Sequence, residues 1–186
     1  MGKYYLAERL KNRHTSVGKL ILLMPVAAVC LAAWLTMEYF TIDSYNWWYM
    51  FLFPGMTAVI CAVAGGLDKK MGDRAVLALP VDMGAVWDAK VLYGFRCMGI
   101  SLLVFLTVTL LTGTGLAQMF QYHFRMNPSV SGQILAVAVL YVTSLWQIPV
   151  CLLLQQKLGM FPMLLIHMGS YCLGAVELSL HACFML

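Results

Sequence analysis

The sequence predicts an all-α bundle of membrane-spanning helices, and three observations predict it. Of the 186 residues, 62% are hydrophobic and 11% charged, with a mean hydropathy of +0.81. A soluble domain of this size has too few polar residues to cover that much apolar surface. The apolar residues are gathered into runs of about 20, the length that carries a helix across a bilayer. Those runs are uninterrupted rather than alternating, which excludes barrel strands.

In chain order, Lys3 to Val17 reads as a helix with Leu6, Leu10 and Val17 near one face and Arg9, Lys11 and Arg13 elsewhere. Such a helix lies on the membrane surface with its cations among anionic headgroups; the plainer alternative is a solvated basic tail. Both the basic region and the apolar run behind it are too long for a signal peptide. Leu6 stands where an N-myristoylation motif needs Ser or Thr.

Five spans follow, from Leu20 to Phe40, Asn46 to Leu67, Val91 to Leu116, Gly132 to Leu154 and Leu158 to Leu180, within one transmembrane domain over 1–186. Lys3, Arg9, Lys11, Arg13 and Lys19 precede the first span, Lys69, Lys70, Arg74 and Lys90 lie between the second and third, and Lys157 between the fourth and fifth. The loop after the first span holds Glu38 and Asp43 without Lys or Arg, and the loop after the third has Arg125. The positive-inside rule therefore expects a multi-pass protein of the cytoplasmic membrane with a cytoplasmic N-terminus. The net charge of +4 reflects this bias; no basic patch interleaves with exposed aromatics, so nucleic acid is not an expected partner. Five spans leave the C-terminus outside, where Cys183-Phe184-Met185-Leu186 ends without a polar tail, which reads as a chain short of a last helix.

Within the spans, Ala58, Ala62 and Gly66, and likewise Ala28 and Ala32, recur at four-residue spacing, a face on which helices pack closely. Pro25, Pro54, Pro149 and Pro162 stand inside or at the ends of spans, where they are tolerated or kink the helix. Cys30, Cys61, Cys97, Cys151, Cys172 and Cys183 form no CxxC pair and read as apolar fillers. Glu177 and His181 share a helix face, with His167 earlier, but near a span boundary polar groups cost little, and no metal is expected. His167 and Ser170 lack an orienting third group or a nucleophile elbow, so no catalytic residue is assigned. Arg96, early in the third span, either snorkels to the headgroups or pairs with an acid of a partner.

Asp68 to Lys90 is the one extended polar segment expected inside the cell. Arg74 to Leu79 is apolar and broken by Pro80; Asp82 is placed to cap a helix running through Val86, Trp87 and Lys90. The Trp87 indole should be buried, against the bilayer or against a cytosolic protein.

Tyr45-Asn46-Trp47-Trp48-Tyr49, Pro54-Gly55, Asp68-Lys69-Lys70, Arg74-Ala75, Leu79-Pro80-Val81-Asp82 and Trp87-Asp88-Ala89-Lys90 together resemble the permease subunits of lantibiotic-protection ABC transporters, the MutE/EpiE-like family. The resemblance covers the first three spans; beyond them it rests on hydropathy. It implies a bacterial ABC-2-type export permease, normally of six helices, working with a cytosolic ABC ATPase that binds ATP and Mg, and often with a second homologous permease, to clear lantibiotic peptides from the membrane. The early end departs from that pattern. The chain has no GxxxxGK[ST] phosphate loop, so it is expected to bind no cofactor and to be no enzyme.

By analogy with such exporters, the N-terminal helix and the loop are docking elements, with Arg74, Asp82, Trp87 and Lys90 expected to couple to the ATPase. At the outer face, Trp47, Trp48 and Tyr49 are either belt anchors or rings on which a cationic peptide stacks while pairing with Glu38 or Asp43. Two further classes stay open: an ABC-2 permease for another amphiphile or lipid, and a non-transporting membrane subunit that assembles or senses.

Overall fold

The structure, a computed structural model, describes residues 2–70, 82–119, 124 and 127–184, without the side chains of 68–70, 119 and 175–184. Arg74, the rest of the stretch to Pro80, and Arg125 lie outside the described residues, as do the side chains of Lys69, Lys70, Glu177, His181 and Cys183. Every described element is helical: α1 (Gly2–Asn12), α2 (Val17–Leu35), a 3₁₀ turn (Met37–Tyr39), α3 (Phe40–Trp47), a π turn (Trp48–Leu52), α4 (Phe53–Lys70), α5 (Met83–Met119), α6 (Val130–Ser144), α7 (Gln147–Leu158) and α8 (Met160–Phe184).

Among the described residues, four stretches are long and apolar enough to cross a bilayer, Val17–Leu35, Met37–Leu67, Met83–Gln118 and Val130–Leu158, and Met160–Gly174 adds a shorter apolar helix. The chain is a multi-pass membrane protein. At 1.5 Å per residue, α5 is about 55 Å long, against a hydrocarbon core of about 30 Å. Its surplus carries the charge at its start, Asp82, Asp88 and Lys90.

Prolines explain several boundaries. Pro149 and Pro162 stand in the first turn of α7 and α8, where a missing N–H is tolerated, whereas Pro54 follows the π turn directly, near the start of α4. Pro54 also withholds a donor from the carbonyl of Met50 and its ring crowds that carbonyl, and there the helix widens into the π turn. Leu145 and Trp146 interrupt the fourth stretch between α6 and α7. Gly159 ends α7 at φ 92°, its N–H on the Gln155 carbonyl at 3.0 Å. The chain then doubles back, so that Gln147 of α7 donates to the Tyr171 hydroxyl of α8.

The small residues of the sequence are packing surfaces. Ala28, Ala32, Ala58 and Ala62 are buried, and Gln155 Nε2 donates to the Ala62 carbonyl at 2.7 Å across the α4–α7 contact. A Cβ on Gly94 would lie 2.7 Å from Ile148 Cγ2, so α5 and α7 meet with no room for a side chain. At the other end of the core, Trp48 is fully buried and stacks on Phe105 with ring centroids 5.0 Å apart. Tyr45 meets the same ring edge-on at 5.0 Å, and its hydroxyl donates to the Gln133 carbonyl at 3.3 Å. These contacts tie α3 and the π turn to α5 and α6.

The N-terminal helix ends at Asn12 rather than running to Val17. Thr15 explains this: its Oγ1 donates to the Asn12 carbonyl at 2.7 Å and accepts from Val17 N at 3.4 Å, so the side chain takes over bonds a continuous helix would make through its backbone. The orientation of α1 is also informative. Glu8 and Asn12 are 5% and 3% exposed, while Leu6 and Leu10 are 53% and 54% exposed. Glu8 and Asn12 face the protein and Tyr5 accepts from Arg96 Nη1 of α5 at 2.7 Å, while Leu6 and Leu10 face outward along with Lys3 and Arg9, as for a helix at a membrane surface.

Asp82 caps α5 as its position in the sequence suggested, with Oδ1 accepting from Gly84 N at 3.0 Å. Replacing it (Asp82→Ala) should cost about 1 kcal/mol, spent locally in the first turn of α5. Hydrogen exchange should quicken at Gly84 to Val86 and stay unchanged around Phe105; uniform loosening would show that the cap does more than hold this end.

Candidate functional site

The residues singled out in the sequence fall at the two ends of the bundle. At the N-terminal end stands the start of α5. Asp82 is exposed and spent on the cap; Trp87 is half-buried and packed against the chain's own core; Lys90 is 7% exposed. The indole therefore finds its cover within the protein itself, rather than needing the bilayer or a partner. Helical geometry accounts for this: Trp87, Lys90 and Val91 fall three and four residues apart, on the face turned to the bundle. The exposed residues at this start are Asp82, Met83, Gly84 and Asp88. Asp88 is the residue that spacing alone did not single out, although it lies a turn and a half from the cap.

At the opposite end, α3, the π turn and α8 enclose a cleft of about 530 Å³ lined by Thr36, Asp43, Asn46, Trp47, Met50, Phe51, Tyr171 and Cys172. Its position follows from local structure. Thr36, with φ −144° and ψ 61°, closes α2, and α3 then starts a new helix whose residues 43, 46, 47 and 50 share one face by three- and four-residue spacing. Of the expected outer-face set, Asp43 and Trp47 come together here. Asn46 Nδ2 donates to Asp43 Oδ1 at 3.3 Å, holding the carboxylate toward the cleft wall. Tyr171 brings a hydroxyl from α8, more than a hundred residues away in sequence.

The other members of the expected outer-face set separate. Trp48 turns into the core, because each residue of a helix points about 100° away from the one before it, so three consecutive aromatics cannot share one surface. Tyr49 is exposed but absent from the cleft lining. Glu38, in the turn after α2, is exposed and outside it as well. Trp34, Tyr39, Trp47 and Tyr49 remain outward-facing at this end, the arrangement of an interfacial aromatic belt. Trp47 belongs to both the belt and the cleft.

Chemically, the cleft joins one carboxylate, one amide and one phenol to an indole, a phenyl ring and a thioether. That set suits a ligand with a cation beside apolar surface. Among the described residues no cluster of His, Cys, Asp and Glu is arranged to hold a metal. Among the described residues Cys61, Cys97 and Cys151 are buried thiols and Cys30 and Cys172 exposed ones, none of them in a disulfide. His167 is buried, its ring edge-on to Tyr171 at 5.4 Å, and Ser170 Oγ donates to the His167 carbonyl rather than to its ring, an arrangement unlike a hydrolytic pair. No family model, curated protein or solved structure matches this chain.

Proposed function

We propose that this chain is a membrane-spanning subunit of an ATP-driven exporter that clears lantibiotic or similar cationic antimicrobial peptides from a bacterial cytoplasmic membrane. The observation that carries the reading is the cleft in which Asp43 and Asn46 stand among Trp47, Met50 and Phe51. A cationic amphipathic segment offers a charge for the carboxylate and apolar side chains for the rings. The opposite end supports the same division of labour. Lys and Arg concentrate in the N-terminal segment and between the second and third apolar stretches, a bias that supports a cytoplasmic side for that end.

There α5 rises past the apolar slab and presents Asp82, Met83 and Asp88. A cytosolic ABC ATPase, carrying ATP and Mg, would dock on this protruding start of α5 and on α1, and a second homologous permease would complete the pore. Arg74 and Asp82 are the coupling residues on the connecting loop, while Trp87 and Lys90 transmit its movement into the bundle through the contacts they bury. The chain contributes no ATPase site of its own.

Survival of a lantibiotic-sensitive Gram-positive strain tests the proposal. Cells expressing the chain with its ATPase and partner permease should survive a challenge that kills cells lacking the chain, and a catalytically dead ATPase should abolish the protection. Correct insertion without protection would point to a different amphiphile as cargo. Protection independent of ATP hydrolysis would point to a sensing or assembly subunit.

A further inference from the structure

A second cleft, of about 540 Å³, opens at the N-terminal end between α1, α2 and α5. Three cations border it: Arg9 and Arg13 from α1 and the turn after it, and Arg96 from α5. All three are exposed, and among the described residues none of them enters an ion pair. The carboxylate of this region, Glu8, is turned inward and engaged by Lys11 Nζ at 3.1 Å and Asn12 Nδ2 at 3.2 Å. The cleft is therefore a concentration of positive charge whose nearest acid is already committed.

The rest of the lining is of two kinds. Leu6, Leu10, Ile21 and Ile100 make an apolar wall, with Leu6, Leu10 and Ile100 themselves exposed to the surroundings. Asn12, 3% exposed, keeps a buried Oδ1 with no hydrogen-bond partner. Because α2 and α5 run from this point into the apolar slab, an occupant with both an anionic head and hydrocarbon tails would meet arginines at the head and aliphatic side chains below it.

We infer that this cleft is a binding site for one anionic glycerophospholipid, its phosphate held by Arg9, Arg13 and Arg96. Guanidinium groups match phosphate oxygens in a forked, charge-assisted geometry, and juxtamembrane cations gain from the anionic leaflet next to them. Arg96 is held ready by the Tyr5 hydroxyl, which joins α1 to α5, so the lipid would fasten the N-terminal helix to the longest helix of the bundle. A free phosphate shares the chemistry of the head but leaves the apolar wall bare.

The test is native mass spectrometry of the full chain released from detergent, titrated with phosphatidylglycerol or with phosphatidylcholine. Phosphatidylglycerol should be retained about tenfold more strongly, and Arg9→Gln with Arg13→Gln and Arg96→Gln should remove that preference. A control triple with the same charge change at lysines that do not line the cleft, Lys3→Gln, Lys19→Gln and Lys157→Gln, should keep it. Equal loss in both triples would overturn the site in favour of general attraction by the basic end, and displacement of the lipid by millimolar inorganic phosphate would overturn it in favour of a soluble anion. Equal retention of the two lipids by the unmodified chain would overturn it outright, with no variant involved.

Discussion

Trp47→Ala combined with Asp43→Asn should reduce protection against a lantibiotic about tenfold in the concentration survived, at unchanged abundance in the membrane. The cation–π contact of a partly exposed indole is worth about 0.5–2 kcal/mol, and the lost charge adds to it, so a total near the 1.4 kcal/mol that makes a factor of ten is expected. Trp47 is 40% exposed and its neighbour Trp48 fully buried, so the neighbour is a built-in contrast. Trp48→Ala removes an indole stacked on Phe105 and tilted against Phe53 at 5.5 Å. Truncating an aromatic core residue costs about 3–5 kcal/mol, and the protein itself should be lost. Immunoblots of membrane fractions beside survival curves separate the two effects. If Trp47→Ala lowers abundance as Trp48→Ala does, the exposed indole is a belt anchor and the cleft is not where peptide binds.

Gly94→Val should destabilise the bundle and be partly relieved by Ile148→Ala. Two terms compete at this position. Valine is a somewhat better helix former than glycine, by a few tenths of a kcal/mol, whereas its Cβ would stand 2.7 Å from Ile148 Cγ2, and overpacking of this kind costs about 1–3 kcal/mol. The clash wins because Ile148 is 1% exposed and branched at Cβ, so its methyl has nowhere to turn. Thermal unfolding in detergent should show a lowered midpoint for Gly94→Val and a smaller deficit for the double variant than the sum of the two single ones. Strict additivity would mean that α5 and α7 do not meet as the structure has them.

The proposed coupling and the lipid site are joined through α1. Its uncharged-amide and acidic groups are spent on the protein, with Glu8 and Asn12 buried and Tyr5 bound to Arg96, while its leucines and Arg9 face outward. In sequence the helix reads as an ordinary amphipathic anchor, with cations assigned to headgroups and leucines to lipid. Only the leucines needed no knowledge of the neighbours. The inward face depends on α5, which supplies the arginine that Tyr5 accepts from.

The sequence by itself determined that this is a helical membrane protein, which end carries the Lys and Arg, and that Asp82 caps a helix. Each of these depends on residues within a turn or two of one another, or on charge counted along the chain. The bounds of its expected five spans differ from the four spanning stretches and one shorter apolar helix of the described residues. That Asp43 and Trp47 share a face follows from local spacing too, since four residues make about one helical turn, although in sequence Glu38 and Asp43 stand as alternatives. The tertiary structure decided that Trp48 leaves the outer set for the core, because its direction is set by helical phase through the π turn and its cover by Phe105. It also decided that Tyr171 joins the cleft, that Trp87 is covered by its own bundle, and that Arg9, Arg13 and Arg96 converge. Those juxtapositions join residues far apart in the chain, and side-chain contact across such separations is created by packing rather than by local pattern.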